Sequence, residues 1–311
     1  MNSERIVFLG TPDISAYLLE GMVKAGFNIA GVITREDKPK GRRGIPTPSP
    51  VGAMALKLGL PLHKPHKLNL DYSILDEWKP DLLLTFAYGQ IISTKVLSYS
   101  KYKPLNLHAS LLPKYRGAAP LQYALRNGDK ETGISLMEMV KEMDAGDVYA
   151  VERLPIAKDD NYTSLCEKIQ KLALEMAIKD LPLYFENKLT PVRQDPAQVT
   201  FCPSIKKEQE HLILDQTPEG FANEVRALSY TPGGYLLRKD NTILKIYKAE
   251  PYSSEIKGEP GQILLARKND IVLQLAKGQV RLLILQKPGK KMMKALDFNN
   301  GTHDFEGEIL R

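Results

Sequence analysis

Hydrophobic and polar positions in the first 190 residues switch between two periods. RIVFLG, NIAGVIT, PDLLLTFAY and PLNLHAS are short apolar runs of the kind that form buried strands. Between them, DISAYLLEGMVKAG and SPVGAMALKLG carry helical spacing, and the first of these is expected to end at Gly26. Strands alternating with helices predict an α/β fold, a doubly wound, mostly parallel, Rossmann-like sheet with helices on both faces. In such sheets ligands bind outside the carboxyl ends of the strands, and NLHAS is placed at one of those ends. A long helix over Tyr162–Phe185 closes this half, with Leu165, Ile169, Leu172 and Met176 as its apolar stripe. Cys166 lies beside that stripe and reads as packing.

The pattern changes after residue 188. NKLTPVRQDPAQVTFCPSIKKEQE has prolines at 191, 196 and 203 and no clear period, so residues 189–208 are expected to be a linker. Beyond it, TPEGFANEVRALS is helix-like. The short segments GYLLRKD, TILKIYKAE, GQILLARKND, IVLQLA and QVRLLILQKP then predict a small OB-like β-barrel. The expected organisation is a first domain over 1–188, the linker, and a second domain over 209–311.

Composition changes this picture little. Of the 311 residues, 43% are hydrophobic and 26% charged, which are globular values. MNSERIVFLG lacks the apolar core of a signal peptide, and no stretch approaches a membrane span. Two cysteines, Cys166 and Cys202, are too few for a disulfide scaffold, and a reduced, cytoplasmic setting is expected. The net charge of +6 divides evenly between residues 1–205 and 206–311. Its clustering is more informative: REDKPKGRR holds five basic residues against two acidic, and KPGKKMMK four against none. Solvated surface explains either cluster alone, whereas two in one chain suggest a polyanionic partner.

Several familiar motifs are missing. FLGTPD has one glycine where a dinucleotide fingerprint needs three, PGKK does not complete a Walker A loop, and no G-x-S-x-G elbow occurs. His63 and His66 are spaced for a metal pair, but a proline intervenes and no further ligand is near, so no metal site is assigned.

The segment PLNLHASLLPKYRGAAP is different. Its N-x-H-x-S alternation puts Asn106, His108 and Ser110 on one face of a strand whose other face is leucine. A carboxylate to accompany them is offered by Asp144 in MVKEMDAGDVY, with Asp147 as a rival; Asp144 is equally suited to forming the turn there. A carboxylate against His108 would orient the imidazole and stabilise its charged form, and Asn106 would donate to a developing oxyanion. Without an evident Ser or Cys nucleophile, direct attack by an amine or water is the simpler chemistry.

NLHASLLPKYRGAAP, with AYGQIIS before it and ETGISLMEMVKEMDAGDVY after it, resembles the signature of the 10-formyltetrahydrofolate-dependent formyltransferases. REDKPKGRRGIPTPSPV and LQKPGKKMMKALDFNNG are similar to the basic loop and the C-terminal end of the members that formylate initiator methionyl-tRNA for translation initiation. The resemblance implies a one-carbon group transferase with 10-formyltetrahydrofolate as co-substrate, initiator methionyl-tRNA as partner, and no required metal or obligate protein partner. By position it makes Asn106, His108 and Asp144 catalytic, and places Ser110, Leu111, Leu112, Pro113 and Ile91 at the folate. Lys38, Lys40, Arg42, Arg43, Lys287, Lys290 and Lys291 would meet the tRNA, with Arg42 deepest and the basic loop ordering on binding. Asp215 and Thr231 stand where the family often has tryptophans. Rival readings are a formyltransferase for a small nucleotide or sugar amine, a hydrolase of formyl-folate, and a non-enzymatic RNA-binding protein; the first two leave the basic clusters and second domain unexplained.

Overall fold

Apolar runs that no solvent-facing strand could tolerate form the centre of the first sheet. In this computed structural model, which describes residues 3–41 and 44–311, β1 (Ile6–Gly10) is buried along its whole length. It leads through α1 (Asp13–Lys24) to β2 (Ile29–Ile33). Gly26 takes φ +83° just past the helix, a conformation a side chain would oppose, so α1 stops there. The basic segment is a two-stranded ribbon, β3 (Lys38–Lys40) against β4 (Ile45–Thr47), where a loop was expected. Arg42 and Arg43 lie outside the described residues.

The chain continues through α2 (Pro50–Lys57), capped by Ser49, to β5 (Leu62–His63), α3 (Ile74–Trp78), β6 (Leu82–Phe86), α4 (Thr94–Leu97) and β7 (Leu105–His108). After β8 (Arg116–Gly117) and α5 (Pro120–Arg126) come the long strands β9 (Glu131–Glu138) and β10 (Val148–Pro155). The seven-stranded sheet runs β10-β9-β7-β6-β1-β2-β5. Its β5, β2, β1, β6 and β7 are parallel, and β9 and β10 continue it antiparallel. The mostly parallel α/β sheet expected from the sequence is therefore present.

Helix α6 spans Tyr162–Phe185, the bounds read from its period. Leu165, Ile169 and Met176 are buried and Leu172 is half-buried. The Pro-rich stretch that follows contains β11 (Phe201–Cys202), which pairs with β8 in parallel.

The chain divides into two compact units. One comprises residues 1–120, 131–155 and 166–202, and the other 121–130, 156–165 and 203–311. This differs from the expected boundaries: residues 189–202 belong with the first unit because β11 and its neighbours hydrogen-bond to it, whereas composition alone made them a connector.

In the second unit α7 (Pro218–Leu228), with Thr217 as its N-cap, precedes β12 (Gly234–Leu237), β13 (Ile243–Ser253), β14 (Ile263–Arg267), β15 (Asp270–Leu275), β16 (Gly278–Gln286) and β17 (Met293–Lys294), then α8 (Ala295–Asn300). The sheet is antiparallel, β12-β13-β16-β15-β14, with β17 added to β16. Alternating residues of these strands pack with Phe221, Val225, Phe298 and Phe305 into one apolar core. The C-terminal tail joins the two edges: Leu237 and Arg311 exchange backbone hydrogen bonds, while Leu310 N donates to Gly261 O and Ile263 N to Glu308 O. Arg238 locks that tail by gripping the buried Glu308 carboxylate with Nε at 3.1 Å and Nη2 at 2.6 Å. Bridging both edges removes the unpaired strand groups of an open sheet.

Candidate functional site

β7 ends in the centre of the first sheet, between parallel β6 and antiparallel β9, so its polar residues sit where two strand directions meet. Asn106 is level with Thr85 of β6, and His108 with Ser135 of β9. Each of these neighbours is a polar residue inside an apolar strand, and each has a partner to satisfy. Thr85 Oγ1 donates to Asn106 Oδ1 at 2.7 Å. With Oδ1 occupied, the Nδ2 hydrogens are the end of the amide left to serve a ligand. Ser135 Oγ donates to Ser110 O at 2.8 Å and accepts from Leu112 N at 3.2 Å, which fastens the chain beyond β7.

His108 is buried, with 6% of its side chain exposed, and both ring nitrogens face oxygens. Nε2 lies 2.8 Å from Tyr115 O, a carbonyl, so Nε2 carries a proton and donates it. Nδ1 faces Asp144 Oδ2 at 3.6 Å. That separation is within ion-pair range but longer than a hydrogen bond, so Asp144 does not saturate Nδ1. Asp144 Oδ2 accepts a hydrogen bond from Gly117 N at 2.8 Å.

Two glycines make this possible. Gly117 has φ +124°, and a Cβ on it would stand 2.6 Å from Cys202 O. At Gly146 a Cβ would collide with Glu138 O, so only glycine lets the Asp144 turn lie against β9. Asp144 itself has φ +50°, a left-handed conformation that Asp tolerates better than most residues. Asp147 is elsewhere in function: its carbonyl accepts from Glu138 N at 2.9 Å and continues the sheet.

The turn is also held from far along the chain. Gln194, 8% exposed, donates through Nε2 to Asp144 O at 2.8 Å and Gly146 O at 2.7 Å. Its Oε1 accepts from Arg116 Nε at 3.0 Å and Nη2 at 2.8 Å. Cys202 Sγ donates to Tyr115 O at 3.1 Å, the carbonyl that also receives the His108 proton. Burial pushes the Cys202 thiol up to about 11, so it stays protonated and acts as a donor, not a nucleophile.

The structure therefore brings Asn106, His108 and Asp144 into one neighbourhood. Ser110 is fully buried and donates through Oγ to Lys114 O at 2.6 Å, closing a tight turn around Leu111, Leu112 and Pro113, all half-buried. Ile91 is 82% exposed, and its carbonyl accepts from Asn69 Nδ2 at 2.9 Å. Tyr88, in the same segment, is buried, and loss of solvent pushes its phenol up to about 12. His63 and His66 do not meet as a metal pair: His63 Nε2 faces Asp71 O at 3.1 Å and His66 Nδ1 faces Glu36 Oε1 at 2.9 Å.

Of the basic residues, Lys38 is exposed on β3, the strand that also holds Lys40. Lys290 and Lys291 are exposed beyond β16. Lys287 is engaged inside its own unit, with Nζ 2.8 Å from Gly301 O and 4.7 Å over the Phe298 ring. Desolvation first, then Arg238 and Lys290, push its ammonium down from the usual lysine range.

The sequence reading assigned no role to Thr85, Arg116 or Gln194, whose hydrogen bonds fix Asn106 and the Asp144 turn. Thr85 left a signal, a lone hydroxyl inside LLLTF, since a polar side chain in a buried strand must find a partner. Gln194 left none, because nothing near it in PVRQDP distinguishes it from a solvated linker glutamine.

Comparisons with known proteins bear on the fold and the family of the chain. Residues 4–181 match the Formyl transferase family model, and residues 204–303 match the model of the formyl transferase C-terminal domain. A methionyl-tRNA formyltransferase of Lactobacillus gasseri is 39% identical over 98% of this chain and 98% of that protein. One of Bacillus subtilis is 37% identical over 98% and 97%. Among solved structures, HypX from Aquifex aeolicus in complex with tetrahydrofolic acid has a TM-score of 0.65 at 20% identity, covering 96% of this chain and 47% of that one. WlaRD, a sugar 3N-formyl transferase, has a TM-score of 0.66 at 19% identity, covering 94% and 100%. These two share the fold. Identity sustained over nearly the full length of both partners, across both domain models, identifies this chain as a member of the methionyl-tRNA formyltransferase family.

Proposed function

We propose that the protein transfers the formyl group of 10-formyltetrahydrofolate to the α-amine of methionine on initiator methionyl-tRNA, using Asn106, His108 and Asp144. The observation that carries this reading is the pairing of a fixed amide and a fixed imidazole on one strand. Asn106 has its oxygen held by Thr85, and His108 has Nε2 held by Tyr115 O, so Nδ2 of one and Nδ1 of the other remain for a ligand oxygen.

The co-substrate supplies an activated one-carbon unit whose carbonyl oxygen gains charge as the amine adds. A free α-amine titrates near pH ~8, and esterification of the carboxyl lowers it, so the attacking nitrogen is largely neutral at cellular pH. Asn106 Nδ2 and the His108 Nδ1–H donate to the developing charge, a role in which one preorganised donor contributes about 3–4 kcal/mol. Asp144, 3.6 Å from His108, stabilises the imidazolium and receives the amine proton directly or through water. The bond from amine nitrogen to formyl carbon forms, the bond from that carbon to the folate nitrogen breaks, and the proton released by the amine balances the leaving nitrogen.

The segment Ser110 to Pro113 and the Tyr88 to Ile92 segment supply the folate surface in this reading. Lys38, Lys40, Arg42, Arg43, Lys290 and Lys291 supply phosphate contacts, which fix the nucleic acid without reading its sequence. Lys287 contributes by shaping the turn that presents Lys290 and Lys291, since its own ammonium is occupied. The test is transfer of labelled formyl from 10-formyltetrahydrofolate to initiator methionyl-tRNA, elongator methionyl-tRNA and a small amino sugar nucleotide in parallel. Label on the initiator alone is expected. Label on the small amine and not on tRNA would overturn the assignment of the acceptor.

A further inference from the structure

We propose that Gln194 is a positioning residue for the Asp144 carboxylate, which makes the Pro-rich stretch after α6 part of the transfer machinery. The inference rests on the formyl-transfer reading above for its kinetic consequence, and on geometry alone for its structural one.

Both ends of the Gln194 amide are used. Arg116 presents Nε and Nη2 to Oε1, so the amide cannot be reversed without setting an NH₂ against a guanidinium. Nε2 is thereby aimed at the Asp144 turn, where its two hydrogens meet the carbonyls of Asp144 and Gly146. The network closes on itself, because Arg116 is followed by Gly117, whose N–H holds Asp144 Oδ2. Backbone and side chain of Asp144 are thus fixed from two sides by groups that are fixed to each other. The same stretch supplies both supports: Gln194 grips the turn directly, and β11 holds Arg116 and Gly117 by strand pairing.

The need for such a clamp follows from the turn. Asp144 sits in a left-handed conformation with its carboxylate 3.6 Å from His108, and neither feature is enforced by the regular ladder of β9 and β10. Removing the Gln194 amide leaves two carbonyls without their donor and the Arg116 guanidinium without its Oε1 acceptor. The turn then relaxes toward solvent or another conformation and carries Oδ2 away from Nδ1. A displacement of about 1 Å at a reacting group is enough to cost on the order of 100-fold in rate. Gln194 does not itself reach the reacting atoms in this account.

The test compares the full-length parent with Gln194→Met and Gln194→Glu. Methionine keeps the volume and removes all four hydrogen bonds; glutamate keeps an acceptor for Arg116 and offers the two carbonyls no donor. Both variants are expected to lower kcat about 10- to 100-fold, with KM for the folate and for methionyl-tRNA each within about threefold of the parent. Amide exchange at Gly117 should accelerate in both, reporting release of the Asp144 carboxylate. Retention of kcat within twofold, measured well below the thermal midpoint, would reduce Gln194 to a tie in the fold and overturn the proposal. A loss in the methionine variant that glutamate restores would also overturn it, by assigning the effect to Arg116. If the parent does not formylate methionyl-tRNA, the functional reading fails, while Gly117 exchange still decides whether Gln194 holds the turn.

Discussion

Both units have apolar cores, and they differ in what their buried polar side chains hold. In the first, hydrogen bonds of buried polar side chains aim a few groups: Thr85 holds Asn106, Tyr115 O holds His108, Ser135 holds the chain after β7, and Gln194 holds the Asp144 turn. In the second, the interior is an apolar cluster running from Leu212 to Leu310, and buried polar groups such as Gln274 and Glu308 tie backbone ends together. Burial of polar groups adds little net stability, because each protein hydrogen bond replaces one to water, but it fixes direction. Burial of apolar surface adds stability and fixes no direction. Perturbing the first unit should therefore be read in turnover, and perturbing the second in folding and affinity.

The sharpest way to break that contrast is at His108. Replacing it by Asn removes the Nδ1 donor and the partner of Asp144, and kcat should fall about 10²- to 10⁴-fold with a near-normal thermal midpoint. Collapse of the fold, seen by circular dichroism, would instead make His108 a core residue. Next is Phe298, fully buried against Phe305 with ring centroids 4.9 Å apart. Phe298→Ala should destabilise by about 3–5 kcal/mol in urea titration, while kcat of the protein that remains folded stays near the parent's. A large drop in kcat at low denaturant would show that the second unit steers the chemistry as well.

Thr85→Val keeps shape and removes only the hydroxyl that orients Asn106. A loss of about 10-fold in kcat, ~1.4 kcal/mol, is expected with KM unchanged. No change would mean that the Asn106 amide is held by its backbone alone. The smallest effect belongs to the surface: Lys290→Ala should raise KM for tRNA a few-fold and reduce the salt slope of binding by about one. An unchanged slope would remove Lys290 from the phosphate contacts.

Much was legible along the chain because it depends on near neighbours. The apolar period of α6 set its bounds, glycine at position 26 ended α1, and the alternation in PLNLHAS put Asn106 and His108 on one strand face. The basic segment was legible in charge and not in shape. A ribbon pairing Lys38 with Thr47 carries no more periodicity than a loop, since three residues per strand are too few to show one.

What the sequence by itself determined is strands β1, β2, β6 and β7 of a mostly parallel sheet, helices α1, α2, α6 and α7, the second β-rich unit and the residues able to carry charge and protons. These follow from side-chain period and chemistry, which are properties of the chain read locally. Tertiary structure alone decided that Asp144 and not Asp147 faces His108, that Thr85 directs Asn106, and that Gln194 and Arg116, 78 positions apart, clamp one turn. Hydrogen-bond partners are chosen by distance and direction within ångströms, and those are set when strands distant in sequence become neighbours in a sheet.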